Sequence, residues 1–402
     1  MTTAPGHILV IGAGLGGIRT IEALRQQGFT GRLSLVGSET HLPYDRPPLS
    51  KQVLSGQWEP EKTRLVNDEA LAGLAVDTYL GRPVIQLDGD AVRLSDGASI
   101  TADIFVIATG SKARRLPGQP EAMTTLRTLD DAITLRSRLT EASSALIVGA
   151  GFIGTEIASA AVGHGVSVTM IEAMAVPFAR TLGTEVGQLS ARLIRENGVD
   201  LQCGVALREF VDADSGVALT LEDGSQHRAD IGVVGIGGTA DVEWLVKTPL
   251  IVDNGIRCDS TGRAYGADNV WALGDAAAWL DPVADRHVRC EHWNSTISQA
   301  RSVAASILGV TPDAQPVPYF WSDQFGLKIQ AFGHTAGTDT VEQLHGDGLS
   351  GGPVKGTVLG HFADNRLIAV TAFGAPRHAM KYRQHIENGS TRSDTVEVAA
   401  GV

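Results

Sequence analysis

The sequence predicts an α/β fold in which one strand–turn–helix–strand plan occurs twice and is followed by a smaller α+β region. Three observations predict it. A turn of the form GxGxxG separates a strand-like run from a helix-like run at Gly12-Ala13-Gly14-Leu15-Gly16-Gly17 and again at Gly149-Ala150-Gly151-Phe152-Ile153-Gly154. Each copy is trailed by a hairpin signal and a buried-strand run: Asp96-Gly97 with 104–110, then Asp223-Gly224 with 231–235. Finally, a Pro-containing linker over 311–318 precedes a stretch that alternates strand-like runs with Gly-rich turns.

In chain order, the first copy reads as strand His7–Ile11, a helix from the glycine turn to Gln27, Gly28 as helix stop, and a strand over 33–37. The second reads as strand 145–148, a helix to about His164, and strand 166–172. After Asn269-Val270-Trp271-Ala272-Leu273-Gly274-Asp275 a helix is expected over 294–308. The last region reads as strands 327–332, 357–362 and 367–373 and a helix over 376–386. The expected domains are 1–112 with 241–318, then 113–240, then 319–387, with a mobile tail at 388–402.

A chain of 402 residues has room for two or three domains, and 43% hydrophobic with 19% charged residues is an ordinary globular balance. A net charge of -12 argues against nucleic acid or an anionic membrane as partner. Met1 to Gly6 lacks the basic start and apolar run of a signal peptide, and the most apolar stretch, 145–162, contains Glu156. A cytoplasmic protein is therefore expected. The three cysteines, Cys203, Cys258 and Cys290, form no CxxC or CxxxxC pair, so neither a disulfide framework nor a local redox dithiol is indicated.

A glycine turn between strand and helix lets the backbone approach a diphosphate, which the N–H groups at the helix start then stabilise. Each copy also has an acidic residue near the end of its following strand, Glu39 and Glu172, placed to accept hydrogen bonds from ribose hydroxyls. Two Rossmann-like dinucleotide-binding domains are thus expected. Glu172 would also repel a 2′-phosphate, which favours NADH over NADPH at the second site.

The run Pro43-Tyr44-Asp45-Arg46-Pro47-Pro48-Leu49-Ser50-Lys51 resembles the FAD-dependent ferredoxin reductases that serve bacterial oxygenases. So do Ala108-Thr109-Gly110, Leu126-Arg127-Thr128-Leu129, Ala272-Leu273-Gly274-Asp275 and Trp321-Ser322-Asp323-Gln324. The resemblance extends from His7 to about Tyr382 and implies a glutathione-reductase-like architecture, with FAD in the first unit and NADH in the second. It implies that Gly12, Gly14, Leu15 and Gly17 face the FAD diphosphate, with Ala108, Thr109 and Gly110 beside it. Arg46, Lys51 and Arg127 would neutralise phosphate charge or line the flavin, and Asp275, after Gly274, would accept from a ribityl hydroxyl. The Val84 backbone would meet the adenine and Trp293 would cover the flavin. Gly149, Gly151, Phe152, Ile153, Gly154, Arg180, Gly235 and Gly237 would serve NADH. Lys51 and Glu156 are expected to pair near the flavin, and Trp321 to stand where electrons leave. Taken alone, Arg46 and Lys51 read equally as surface charges, and Trp293 and Trp321 as core aromatics. Ser38 departs from an Asp that some relatives carry, so Glu39 is expected to bear its ribose contact alone; Val176 departs from an Arg that at least one relative carries, while Arg180 is retained nearby for the adenosine of the second site.

In such a protein the cofactors carry the chemistry and the side chains bind, stack and exclude water. The expected acceptor is a 2Fe-2S ferredoxin, with the protein a monomer or weak dimer and no metal of its own. An acidic ferredoxin needs local basic surface, for which Arg301, Lys328, Arg377, Lys381 and Arg383 are the candidates. Two alternatives stand beside this reading: NADH-dependent reduction of a small molecule such as a quinone, and NADH sensing of the kind attributed to apoptosis-inducing factor.

Overall fold

The computed structural model describes residues 5–211, 215–282 and 285–395. The chain forms two compact units, the first from 1–45, 61–112 and 238–316, the second from 46–60, 113–237 and 317–402.

In the first unit the run His7–Ile11 is the centre of a five-stranded sheet whose order is Val270–Ala272, Ile104–Ile107, His7–Ile11, Arg32–Val36, Val76–Tyr79. All its pairings are parallel, so the strands are covered on both faces, and Ile8, Leu9, Val10 and Phe105 are fully buried. Helix Leu15–Gln26 turns Ile18, Ile21 and Leu24 inward at helical spacing and packs beside helix Trp293–Ile307. The hairpin around Asp96-Gly97 forms as Ala91–Leu94 against Ser99–Thr101.

Taken from the opposite edge, the second unit repeats four strands of this plan as Asp200–Cys203, Ser167–Glu172, Ser144–Val148 and Ile231–Val234, with Met123–Thr124, from before the glycine turn, as the outer fifth. Its hairpin strands, Val217–Leu221 and Gln226–Ala229, also form as expected. In both sheets the sequential order reverses beside the strand that precedes the glycine turn, and the crevice at that switch point is where doubly wound sheets take ligands.

The rest of the second unit is an antiparallel five-stranded sheet ordered Tyr319–Gln324, Leu327–Gly333, Arg366–Phe373, Val358–Ala363, Thr340–His345, with helix Pro376–Glu387 against it. Three of its strands and the helix match the sequence expectation; the edge strands Tyr319–Gln324 and Thr340–His345 do not appear in it. Helix Thr184–Glu196 shares a core with this sheet, in which Phe178, Val186 and Leu189 meet Ile329, Leu359 and Phe373. Segment 46–60 packs within the second unit, where His164 Nε2 lies 3.0 Å from Leu54 O. The expected mobile tail is tied down as far as it is described: Leu367 N–H donates to Ser390 O, Arg392 pairs with Glu342, and Thr395 is buried. Residues 396–402 lie outside the described residues. No described helix is long and apolar enough to cross a membrane.

Candidate functional site

The two glycine turns are built alike. Gly12 and Gly149 have φ of +116° and +103°, where a side chain is strained. A Cβ on Gly12 would lie 2.2 Å from Ala108 O, and one on Gly149 2.5 Å from Gly235 O. A Cβ on Gly17 or Gly154 would lie 2.0 or 2.1 Å from the carbonyl oxygen of Gly12 or Gly149. These four glycines are therefore required by the chain's own packing.

The middle glycines differ. Gly14 and Gly151 are extended, with φ of -95° and -78°. Among the described residues a Cβ on Gly14 would meet no heavy atom within 4 Å, and one on Gly151 would meet only Gly235 O, at 3.8 Å. Protein packing does not demand glycine at either position, whereas close approach of a diphosphate does. Each is the N-cap of its helix, and no side chain caps it. Helix Leu129–Glu141, by contrast, carries a capping box from Thr128 and Asp131. Both turns thus fit a dinucleotide diphosphate: backbone can approach, and the N–H groups of the first turn are not taken by a cap.

Ala108 and Gly235 leave the strands next to each turn, with their N–H groups on Ile11 O at 2.7 Å and Val148 O at 2.8 Å. Thr109 Oγ1 donates to Asp241 O, and Gly110 O accepts from the Asp241 N–H, so the backbone there is fixed. Gly110 and Gly237 both have positive φ. Ser111 Oγ donates to Asp275 at 2.9 Å, and Gly274 N–H to Gln299 at 2.8 Å. Trp293 opens its helix with Nε1 donating to Asp45 at 2.7 Å, and Val84 is half-buried opposite Leu94.

Glu39 accepts from the Tyr44 hydroxyl at 2.6 Å. Glu172, the last residue of its strand, accepts from the Ala150 and Met174 N–H groups, both at 2.8 Å. Each Glu172 oxygen accepts one of these bonds and keeps a lone pair for a ribose hydroxyl. Phe152 packs on Phe178 and Phe320, while Ile153 and Arg180 are exposed.

The expected Lys51–Glu156 pair is present: Lys51 Nζ lies 2.8 Å from Glu156 Oε2, with side-chain exposures of 10% and 3%. Lys51 sits on a short π-helical turn, Leu49–Val53. The ion pair is buried and hydrogen-bonded on several sides, which gives it a defined geometry. Ser50 Oγ donates to the same Oε2, and Ser322 Oγ to Oε1. Neither serine is among the residues assigned a role from sequence, although both stand inside quoted motifs, next to Lys51 and Trp321. Arg46 Nη1 donates to Arg127 O at 2.5 Å. Trp321 is half-buried, its ring stacked on Tyr319 at 5.9 Å.

Burial pushes the thiols of Cys203, Cys258 and Cys290 up, which disfavours the reactive thiolate. All three are free, and among the described residues no cluster of three His, Cys, Asp or Glu could hold a metal. Of the basic candidates, Lys328 is 3.3 Å from Asp323 and Arg383 pairs with Glu387, while Arg301, Arg377 and Lys381 are exposed.

Residues 6–300 match the pyridine nucleotide-disulphide oxidoreductase family, and residues 319–400 match the reductase C-terminal family. The ferredoxin reductase component of chlorobenzene dioxygenase from Cupriavidus sp. (strain PS12) is 37% identical over 92% of this chain and 90% of its own length. Rhodocoxin reductase from Rhodococcus erythropolis is 35% identical, over 94% and 88%. The crystal structure of the covalent putidaredoxin reductase–putidaredoxin complex superposes with a TM-score of 0.91 at 29% identity, covering 100% of both chains.

Proposed function

The chain belongs to the pyridine nucleotide-disulphide oxidoreductase family, and from that premise we propose that it is an FAD-dependent NADH:ferredoxin oxidoreductase, passing electrons singly to a 2Fe-2S ferredoxin that feeds an oxygenase. The observation that carries this reading is the pairing of two dinucleotide cradles with three buried or half-buried, unpaired cysteines. With no redox dithiol to relay electrons, they leave from the flavin itself.

Bound FAD would supply the redox chemistry, which is hydride acceptance from NADH and delivery of electrons singly. The protein's residues hold and orient. Amides after Gly12 and Gly14, including that of Leu15, receive the FAD diphosphate, Glu39 a ribose, and the Val84 backbone the adenine. Arg46 and Arg127 offset phosphate charge, Thr109 and Gly110 keep the backbone close, Asp275 orients the ribityl chain, and Trp293 excludes water from the ring. Gly149, Gly151 and Gly154, with Phe152, Ile153, Arg180, Gly235 and Gly237, receive NADH, whose ribose Glu172 accepts. Glu156 fixes the Lys51 ammonium so that positive charge is held near the reduced flavin. Trp321 marks the exit for electrons. A cytoplasmic monomer or weak dimer suits this role, with Arg377, Lys381 and Arg383, on one helix, among the cations that meet an acidic ferredoxin.

The test is NADH-dependent cytochrome c reduction with and without a purified 2Fe-2S ferredoxin, with NADPH as control. Strong stimulation by ferredoxin, with NADH preferred, is expected. Fast flavin reduction with no ferredoxin effect would reassign the acceptor to a small molecule. Very slow reduction with an NADH-dependent change in oligomeric size would favour a sensor.

A further inference from the structure

We propose that Ser322 is a positioning residue that ties the strand carrying Trp321 to the Lys51–Glu156 pair, an inference that rests on the functional reading above. Helix Phe152–Gly163 grips strand Tyr319–Gln324 and the turn after it at three points. The Phe152 ring lies 4.2 Å from that of Phe320, Glu156 Oε1 accepts from Ser322 Oγ, and Ser159 Oγ accepts from the Phe325 N–H at 2.7 Å. Positions 152, 156 and 159 follow the spacing of a single helix face. The same helix begins at the second glycine turn, so one rigid element joins the expected NADH cradle to the strand of Trp321.

Ser322 is the polar centre of this contact. It is fully buried, it gives its single proton to Glu156, and it accepts from Gln324 Nε2 at 2.9 Å. Its hydroxyl orientation is thereby determined. Glu156 divides its two oxygens accordingly: Oε2 serves Lys51 and Ser50, and Oε1 serves Ser322. Side chains alternate along a strand, so Ser322 faces Glu156 while Trp321 and Tyr319 share the opposite face, their rings stacked. Tyr319–Gln324 is an edge strand with a single neighbour in its sheet, Leu327–Gly333. The bond from Ser322 therefore holds one face of this edge strand against helix Phe152–Gly163, and a displaced carboxylate would disturb both the Lys51 ammonium and the setting of the Trp321 ring.

A cycle of Ser322→Ala, Glu156→Ala and the double variant, with Ser322→Thr as the conservative control, tests this on the flavin-loaded protein. Hydrogen exchange is measured on the peptide spanning 319–324. Single-turnover kinetics give flavin reduction by NADH and reoxidation by a 2Fe-2S ferredoxin. Ser322→Ala is expected to raise exchange and to slow both half-reactions by about tenfold at saturating NADH, with the apparent NADH affinity held within about twofold. Ser322→Thr, which keeps the hydroxyl, is expected to stay within about twofold of the parent, and the double variant to be no worse than Glu156→Ala. Unchanged exchange in Ser322→Ala, equal losses in Ala and Thr, or additive effects in the double variant would each overturn the proposal. Glu156→Ala leaves Lys51 without its buried partner; if it does not fold, the contrast between Ser322→Ala and Ser322→Thr decides. Should the parent protein not be reduced by NADH, the functional reading fails, while the exchange cycle still judges the Ser322–Glu156 link.

Discussion

The two glycine cradles have the same strands, the same positive-φ first glycine and the same close approach of the third glycine to the first, yet their acidic residues are used differently. Glu172 bonds the Ala150 N–H of its own turn and the Met174 N–H just past its strand, so the second cradle is braced backbone to carboxylate. Glu39 instead takes the hydroxyl of Tyr44, in the Pro43–Lys51 motif, so the first cradle is joined to the loop that follows it. A site braced by its own backbone suits a dinucleotide that enters and leaves at every turnover; one tied through a side chain of the following loop suits a cofactor that stays. The two turns thus share their backbone and differ in the partners of a single carboxylate.

The shared part of the comparison breaks most severely at the third glycine. Gly17→Ala and Gly154→Ala are each expected to cost about 3 kcal/mol in denaturant unfolding, because the new Cβ meets backbone that cannot swing aside. A loss below about 1 kcal/mol in either would mean that the two turns are not built alike. The divergent part is sharpened at Glu172: Glu172→Gln keeps an acceptor for the turn but removes the charge, so the NADPH to NADH ratio of kcat/KM is expected to rise about tenfold. Glu39→Gln is expected to leave that ratio unchanged, and steady-state assays with both nucleotides decide. The smallest effect is expected at Tyr44→Phe, which removes one hydroxyl from Glu39 and weakens FAD about fivefold in a reconstitution titration, without altering the apparent affinity for NADH.

Local pattern carries much of this in the sequence and fails where partners are distant. His7–Ile11 and helix Leu15–Gln26 are legible because an apolar run and a helix meet at a glycine turn, and the second unit repeats that signal. Strand Thr340–His345 is only half-buried along most of its length, which blurs its alternation, and Tyr319–Gln324 follows directly on a Pro-rich linker. Helices Leu129–Glu141 and Thr184–Glu196 lie outside the repeated plan, although the Thr128 and Asp131 box is a usable local signal. At the site, the Lys51–Glu156 pair is legible only through the family resemblance, because 105 positions separate the two residues. Ser322 meets Glu156 across 166 positions, and segment 46–60 joins the second unit through such contacts, none of which leaves a local trace.

The division of labour between the cradles is tested most directly by matched substitutions at the middle glycines. Gly14→Ala and Gly151→Ala add a methyl group that the protein itself tolerates, with extended backbone and no close heavy atom, so each acts on the ligand and not on the fold. Flavin content and the rate of flavin reduction by NADH are measured on both purified variants. Gly14→Ala is expected to emerge depleted of flavin, and Gly151→Ala to emerge yellow, fully flavinated and slow to be reduced by NADH. Flavin lost from Gly151→Ala and retained in Gly14→Ala, or fast NADH reduction in Gly151→Ala, would contradict the assignment of FAD to the first cradle and NADH to the second.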